Sequence, residues 1–289
     1  MAQIQYQLRE NSSYDHIRVE PMTGTIGAEI HDIDLRDQLS DAVMQEVERA
    51  LLEWRVIFFR DQDISTDDHL RFAGWFGELE VHPFAPHKPG YPEVLAITHD
   101  ENSPGRENLW HSDVTWRLQP SLGSVLRAIE VPAYGGDTLF SDMHAAWDRL
   151  DAAIKAKIDT ARAVHDFGGF RRRLIKEGAS AEEIEAFNAK YPNPSHPVVR
   201  THPATGEKSL YVNKAFTQYI EGMPREESDA LLQQLYAQAA IPEYQVRFRW
   251  AKNSIAFWDN RAVQHYAAAD YWPARRQVER VTICGDTPV

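Results

Sequence analysis

Hydrophobic positions along the chain follow first a helical and then an alternating rhythm. Val43, Val47 and Leu51 recur at helical spacing behind Ser40, a residue able to cap, and predict a helix running to about Trp54. Residues 55–60 (RVIFFR) form a short apolar run closed by Asp61-Gln62-Asp63, as expected of a buried strand. Leu70, Ala73 and Phe76 share one side of a second predicted helix from about Thr66 to Phe76. Ahead of both helices, residues 23–30 (TGTIGAEI) read as a short strand with glycine bends.

Strands dominate from there on: residues 94–98, 124–131, 137–141, 209–212, 244–250, 254–258 and 277–284. In 244–250, Val246, Phe248 and Trp250 alternate with Gln245, Arg247 and Arg249. An amphipathic stretch at about 144–163 and a polar, charged one at 168–194 interrupt the strands. A further helix begins at Pro224 and uses Leu231, Leu232 and Leu235. Many short strands with a few helices predict an α+β, mainly β fold, a jelly-roll-like barrel of two sheets with flanking helices. With no internal repeat, low-complexity tract or long linker, residues 1–289 read as one domain.

Composition narrows the function classes. A formal charge of −12 removes any general attraction to nucleic acid or anionic membrane, so binding an anion requires positive charge concentrated locally. Cys284 is the only cysteine, which excludes an intrachain disulfide and a cysteine-rich metal site. The N-terminal residues lack the basic start and apolar run of a signal peptide. No apolar stretch approaches the roughly 20 residues of a membrane span. The expected location is the cytoplasm.

Of 12 histidines, one sits in an H-x-D pattern, His111-Ser112-Asp113. Residues i and i+2 of an extended segment point to one side, so imidazole and carboxylate can converge on an ion. Two histidines and one carboxylate on one face of an octahedral metal leave three open positions, the arrangement of non-haem iron(II) oxygenases. Alone, H-x-D more often marks a loop histidine oriented by a neighbouring carboxylate. Two distant segments bear on it. In residues 257–265 an apolar strand runs through the polar turn Asp259-Asn260 and delivers His265. In residues 275–280, Arg276 and Arg280 share a strand face with Val278. Two arginines aimed into a barrel need anionic partners, although surface ion pairs on an edge strand remain open.

Together these segments resemble the taurine dioxygenase family of iron(II)/2-oxoglutarate oxygenases. The resemblance runs from Gly24-Thr-Ile-Gly-Ala-Glu-Ile30 through Val56-Ile-Phe-Phe-Arg-Asp-Gln62, His82-Pro83, Trp110-His-Ser-Asp-Val-Thr115, Gly135-Gly-Asp-Thr-Leu139, Tyr211-Val-Asn213 and Trp258-Asp-Asn-Arg261 to Gly285. It implies a double-stranded β-helix, with His111, Asp113 and His265 as the iron ligands. It also implies that Arg276 and Thr138 hold the distal carboxylate of 2-oxoglutarate, which is consumed with O2 as the substrate is hydroxylated.

For the substrate, the resemblance implies a small organosulfur anion, taurine or a related sulfonate, which is hydroxylated and releases sulfite and an aldehyde as 2-oxoglutarate becomes succinate and CO2. His82 and Arg280 would hold the anion, with Trp116 and Phe170 as pocket walls. Ala85, Glu107 or Asn108, and Trp116 depart from the taurine enzymes. Anion recognition is therefore better supported than amine recognition. Residues 165–195 fall where the family has a mobile segment over the site; Gly168-Gly169 is a hinge candidate there, and Arg171-Arg172-Arg173 reads as a solvated charge run. A homo-oligomer is expected. Competing readings are an alkylsulfate or aryloxyalkanoate dioxygenase, a non-catalytic metal- or anion-binding barrel, and a zinc hydrolase.

Overall fold

A computed structural model of the chain describes residues 12–289; residues 1–11, most of the segment read for a signal peptide, lie outside it. The first part contains β1 (Arg18–Pro21), β2 (Ala28–His31), α1 (Asp41–Trp54), β3 (Val56–Phe59), α2 (Thr66–Gly74), β4 (His87–Lys88), β5 (Tyr91–His99) and β6 (Gly123–Glu130). Then come β7 (Thr138–Asp142), α3 (Met143–Asp148), α4 (Ala152–Ile158), β8 (Arg162–His165), α5 (Gly168–Lys176), α6 (Ala181–Lys190), β9 (Ser195–Pro197), β10 (Val199–Thr201) and β11 (Lys208–Leu210). The last part contains β12 (Thr217–Ile220), α7 (Arg225–Tyr236), β13 (Gln245–Phe248), β14 (Ile255–Asp259), β15 (Val263–Ala267) and β16 (Arg276–Ile283).

The large sheet has the order β1-β2-β3-β14-β6-β16-β5-β4. Opposite lies the smaller sheet β13-β7-β15, while β12-β8-β9 and β10-β11 form two more. This is the mainly β jelly-roll arrangement expected. Strand parity builds two cores from one sheet. Val56 and Phe58 of β3, with Ala256 and Trp258 of β14, face the small sheet's Phe140, Val246 and Phe248. Ile57, Phe59, Ile255 and Phe257 face the other way, onto α1 and α2. Burial on both faces is why residues 55–60 read as a continuous apolar run.

The helices begin where the caps predict. Ser40 accepts from the Val43 N–H, and Ser65 closes a reciprocal capping box with Asp68. α2 stops at Gly74, short of the expected Phe76, and Pro224 occupies the cap of α7 and not its first turn. Gly168 and Gly169, the hinge candidate, are the first two residues of α5. Arg172 and Arg173 are exposed, as a solvated charge run should be, whereas the part-buried Arg171 pairs with Asp166 at 3.0 Å and donates to Asn188. Strands β1, β4, β8, β9, β10, β12 and β15 went unforeseen, being short segments without clean alternation. Among the described residues, no helix is long and apolar enough to cross a membrane.

Candidate metal centre and co-substrate pocket

The site forms where the loop after β5 meets β15. His111 and His265 pair as an isolated antiparallel bridge, His111 N–H to His265 O at 3.1 Å and His265 N–H to His111 O at 2.8 Å. A local backbone pairing thus joins two histidines far apart in sequence. Ser112 points away, donating to the Val263 carbonyl at 2.7 Å, while His111 and Asp113 face inward. Val114, at φ +48°, turns the chain immediately after the carboxylate.

Ligand-capable atoms of His111, Asp113 and His265 lie within 4.8 Å of one another, so the three side chains can hold one ion. His111 Nδ1 lies 2.6 Å from the Leu109 carbonyl, a contact that places the proton on Nδ1 and leaves the Nε2 lone pair for a metal. Burial, then the charge of His111, pushes the His265 imidazole down to about 3, keeping it in the neutral form that ligation needs. Burial would raise the Asp113 carboxyl, but Arg280 and the two histidines outweigh it and hold Asp113 at about 2. Arg280 Nη1 donates to both Asp113 oxygens, at 3.0 and 3.1 Å.

The backbone of Asp113 is held by a residue whose part was not foreseen. Asn260 Oδ1 accepts from the Asp113 N–H at 2.6 Å, and its Nδ2 donates to the Asp113 carbonyl at 2.9 Å and to Ser121 Oγ at 3.1 Å. Beside it, Asp259 binds Arg261 through both oxygens, at 2.8 and 2.7 Å, and His202 at 2.9 Å. The polar turn noted in the sequence was the available signal; its clamp on a segment nearly 150 positions earlier was not legible there.

A cavity of about 520 Å³, counting its mouth, adjoins the triad and is lined by Thr138, Arg276, Val278 and Arg280 together with His111 and His265. The parity of β16 puts both arginines on its inner face, as expected. Arg276 is 5% exposed, and among the described residues its guanidinium has neither an ion pair nor a hydrogen bond; its Nε is buried without a partner. Burial lowers its pKa, a sign of the desolvation borne by an unneutralised cation. Trp250 Nε1 donates to Thr138 Oγ1 at 2.9 Å, which leaves the Thr138 O–H free to donate. An unpaired fork beside a hydroxyl fits a carboxylate.

On the other side, His82 Nδ1 accepts from the N–H groups of Phe84 and Ala85, at 3.2 and 3.1 Å, which assigns its proton to Nε2. Burial first, then the charges of Arg280 and Arg117, push this imidazole down to about 4. Glu107, not Asn108, lines the cavity, with Oε2 3.1 Å from His99 Nε2. Trp116 and Phe170 enter an aromatic cluster in which Trp116 stacks on Phe167 at 4.3 Å.

The fold is a mainly β jelly roll, and its histidine–carboxylate triad, able to hold one metal ion, adjoins a cavity that carries Arg276 and Thr138. Residues 18–282 match the family described as taurine catabolism dioxygenase TauD, TfdA, and the chain belongs to that family. It is similar to the alpha-ketoglutarate-dependent sulfate ester dioxygenase of Pseudomonas putida, 35% identical over 94% of this chain and 90% of that protein. It also resembles the crystal structure of a taurine dioxygenase from Burkholderia xenovorans, with TM-score 0.81, 38% identity and coverage of 95% and 91%. A structure named AAD-2, in complex with Mn(II) and N-oxalylglycine, aligns with TM-score 0.80 at 30% identity, covering 94% of this chain and 98% of that one.

Proposed function

We propose that the protein is an Fe(II)- and 2-oxoglutarate-dependent dioxygenase acting on a small organosulfur anion, a sulfonate or sulfate ester. His111, Asp113 and His265 would hold the iron. When bound, iron and 2-oxoglutarate supply the oxidising chemistry, in which O2 is consumed, 2-oxoglutarate becomes succinate and CO2, and a substrate C–H becomes C–OH. A hydroxyl on the carbon bearing the sulfur group makes the adduct unstable. It fragments to an aldehyde and sulfite from a sulfonate, or to an aldehyde and sulfate from a sulfate ester.

The residues of the chain set where this occurs. Arg276 and Thr138 hold the distal carboxylate of the co-substrate and fix its other end towards the triad. Arg280 and the Nε2–H of His82 receive the substrate's anionic head, orienting the adjacent carbon towards the metal. Neutral His82 donates one hydrogen bond and leaves most of the charge compensation to Arg280.

One observation carries this reading: Arg276 and Arg280, four residues apart, both face the cavity beside the triad. That gives one cation for each of two anions. The test incubates purified protein with Fe(II), 2-oxoglutarate and a panel of sulfonates, alkyl sulfates and aryloxyacetates, and measures succinate. The expected result is substrate-dependent succinate with an organosulfur anion. Turnover confined to aryloxyacetates would move the assignment to a carboxylate substrate. Absence of succinate with every compound, despite bound metal, would remove the enzymatic reading.

A further inference from the structure

Both stems of the α5–α6 excursion close on one buried residue, Thr115, two positions beyond Asp113. His165 ends β8 ahead of α5, and its Nδ1 lies 3.0 Å from Thr115 Oγ1. His196 sits in β9 after α6, and its Nε2 lies 3.0 Å from the Thr115 carbonyl and 2.8 Å from that of Arg117. Two carbonyls assign the His196 proton to Nε2, which donates to both. The stems also hold each other. The His165 N–H donates to the Pro194 carbonyl at 2.9 Å, and the two imidazole centroids are 5.1 Å apart.

Two further side chains complete the socket. Asn213 Nδ2 donates to Thr115 Oγ1 at 3.0 Å. Thr217 Oγ1 lies 3.3 Å from His165 Nε2 and accepts from the Asn213 N–H at 3.0 Å. All five side chains are buried, and a polar network satisfied from within at that depth holds one geometry. None of the five lines the cavity beside the triad, so an effect on the site has to pass through another residue.

That residue is Asp113, and the link is backbone. Between it and Thr115 stands Val114 at φ +48°. A β-branched residue rarely adopts this conformation, which persists only where its surroundings impose it. Here both flanks impose it: Asn260 grips the Asp113 backbone on one side, and the socket grips Thr115 on the other. Freed on either side, Val114 relaxes towards ordinary backbone angles. Rotation at that point swings the Asp113 carboxylate away from His111 and His265.

Resting on the metal-site reading above, we infer that His165 and His196 are positioning residues for Asp113. They act through Thr115, so the stems of the α5–α6 excursion and the metal site form one cooperative unit. Linkage makes the coupling reciprocal: metal binding at Asp113 in turn steadies the excursion.

Calorimetric Mn(II) titration and hydrogen–deuterium exchange of the full chain test this. Thr115→Val removes Oγ1 at nearly constant volume, and His196→Leu removes the donor to the Thr115 carbonyl. Thr115→Ser and His196→Gln each keep the polar atom. The first two variants should weaken Mn(II) binding about tenfold or more, and their polar counterparts should bind like the unmodified protein. Saturating Mn(II) should slow amide exchange across residues 166–194 of the unmodified protein, and Thr115→Val should lose that slowing. Circular dichroism spectra and melting temperatures confirm that the variants fold. Either pair suffices if the other does not, and exchange in the unmodified protein needs no variant. Folded Thr115→Val and His196→Leu variants that bind Mn(II) as tightly as their polar counterparts overturn the inference, and so does exchange in 166–194 indifferent to Mn(II). Both results leave the metal site standing. No Mn(II) binding by the unmodified protein overturns the metal-site reading as well.

Discussion

Asn260 holds Asp113 by both polar groups of its backbone, accepting from its N–H at 2.6 Å and donating to its carbonyl at 2.9 Å. A side-chain amide thereby acts as a short piece of β-strand between the turn after β14 and the H-x-D segment. Asp113 itself donates no side-chain hydrogen bond and cannot fix its own direction. The clamp does that, and it leaves both carboxylate oxygens free to face Arg280 and the histidines.

Replacing Asn260 by Ala should therefore act on metal affinity. Partners behind the ligands typically contribute ten- to hundredfold, and a loss of about that size is expected in a calorimetric Mn(II) titration. The orphaned Asp113 N–H should also cost about 1–3 kcal/mol of stability. Unchanged metal affinity in a folded variant would reduce Asn260 to a purely structural role.

Arg276 and Arg280 should separate by ligand. Arg276→Lys keeps the charge but loses the two-pronged fork, so the KM for 2-oxoglutarate should rise. A hydrogen bond to a charged group is worth about 1.5–3 kcal/mol, which sets the expected rise at roughly ten- to hundredfold. The KM for the other substrate should change little. Arg280→Ala should show the reverse pattern. Equal effects of both variants on both ligands would sink this division of labour.

The parts legible in the sequence were those carried by local pattern. Ser40 and the Val43, Val47, Leu51 spacing placed α1, and the parity of Arg276, Val278 and Arg280 placed both cations inside. What escaped depends on contacts between segments distant in the chain. β15 is a strand because it pairs with β7, and its residues, including His265, show no clean alternation. Asn260 belongs to a recognisable turn, yet its function lies in a contact with residue 113. The ring cluster was only partly visible, as Trp116 and Phe170, because its members come from four separate stretches.

Asp259 anchors the same turn from below. Burial opposes its ionisation, but the charge and hydrogen bonds of Arg261, with His202, hold its carboxyl well below the usual range. Asp259→Asn would leave the buried Arg261 guanidinium without its anion. Breaking a buried pair in this way typically costs about 3–5 kcal/mol. Differential scanning calorimetry should show a clear fall in Tm. A Tm equal to that of the unmodified protein would mean that solvent reaches Arg261.

A separate pH effect should arise far from the metal, at His69. This imidazole is fully buried, with Nε2 3.0 Å from the Val125 carbonyl and Nδ1 without a partner. Burial first, then the charges of Arg127 and Lys88, push it down to about 4. In the unfolded chain the same group titrates near 6.5. Between those two values the unfolded state binds a proton that the folded state refuses, so folding stability falls as pH drops from about 6.5 to 4. The shift corresponds to a loss on the order of 3 kcal/mol, fully developed only below pH 4. His165 and His196 are depressed for the same reason and add to the slope of the unmodified protein. The informative measurement is therefore a difference: urea unfolding of the protein and of His69→Gln at pH 7, 6 and 5. The variant starts less stable at pH 7, having exchanged a packed ring for an amide, but its stability should fall less steeply with acid, by about one proton. Parallel pH dependences for the two proteins would show that His69 takes up its proton in the folded state, and that the interior around Val125 admits the charge.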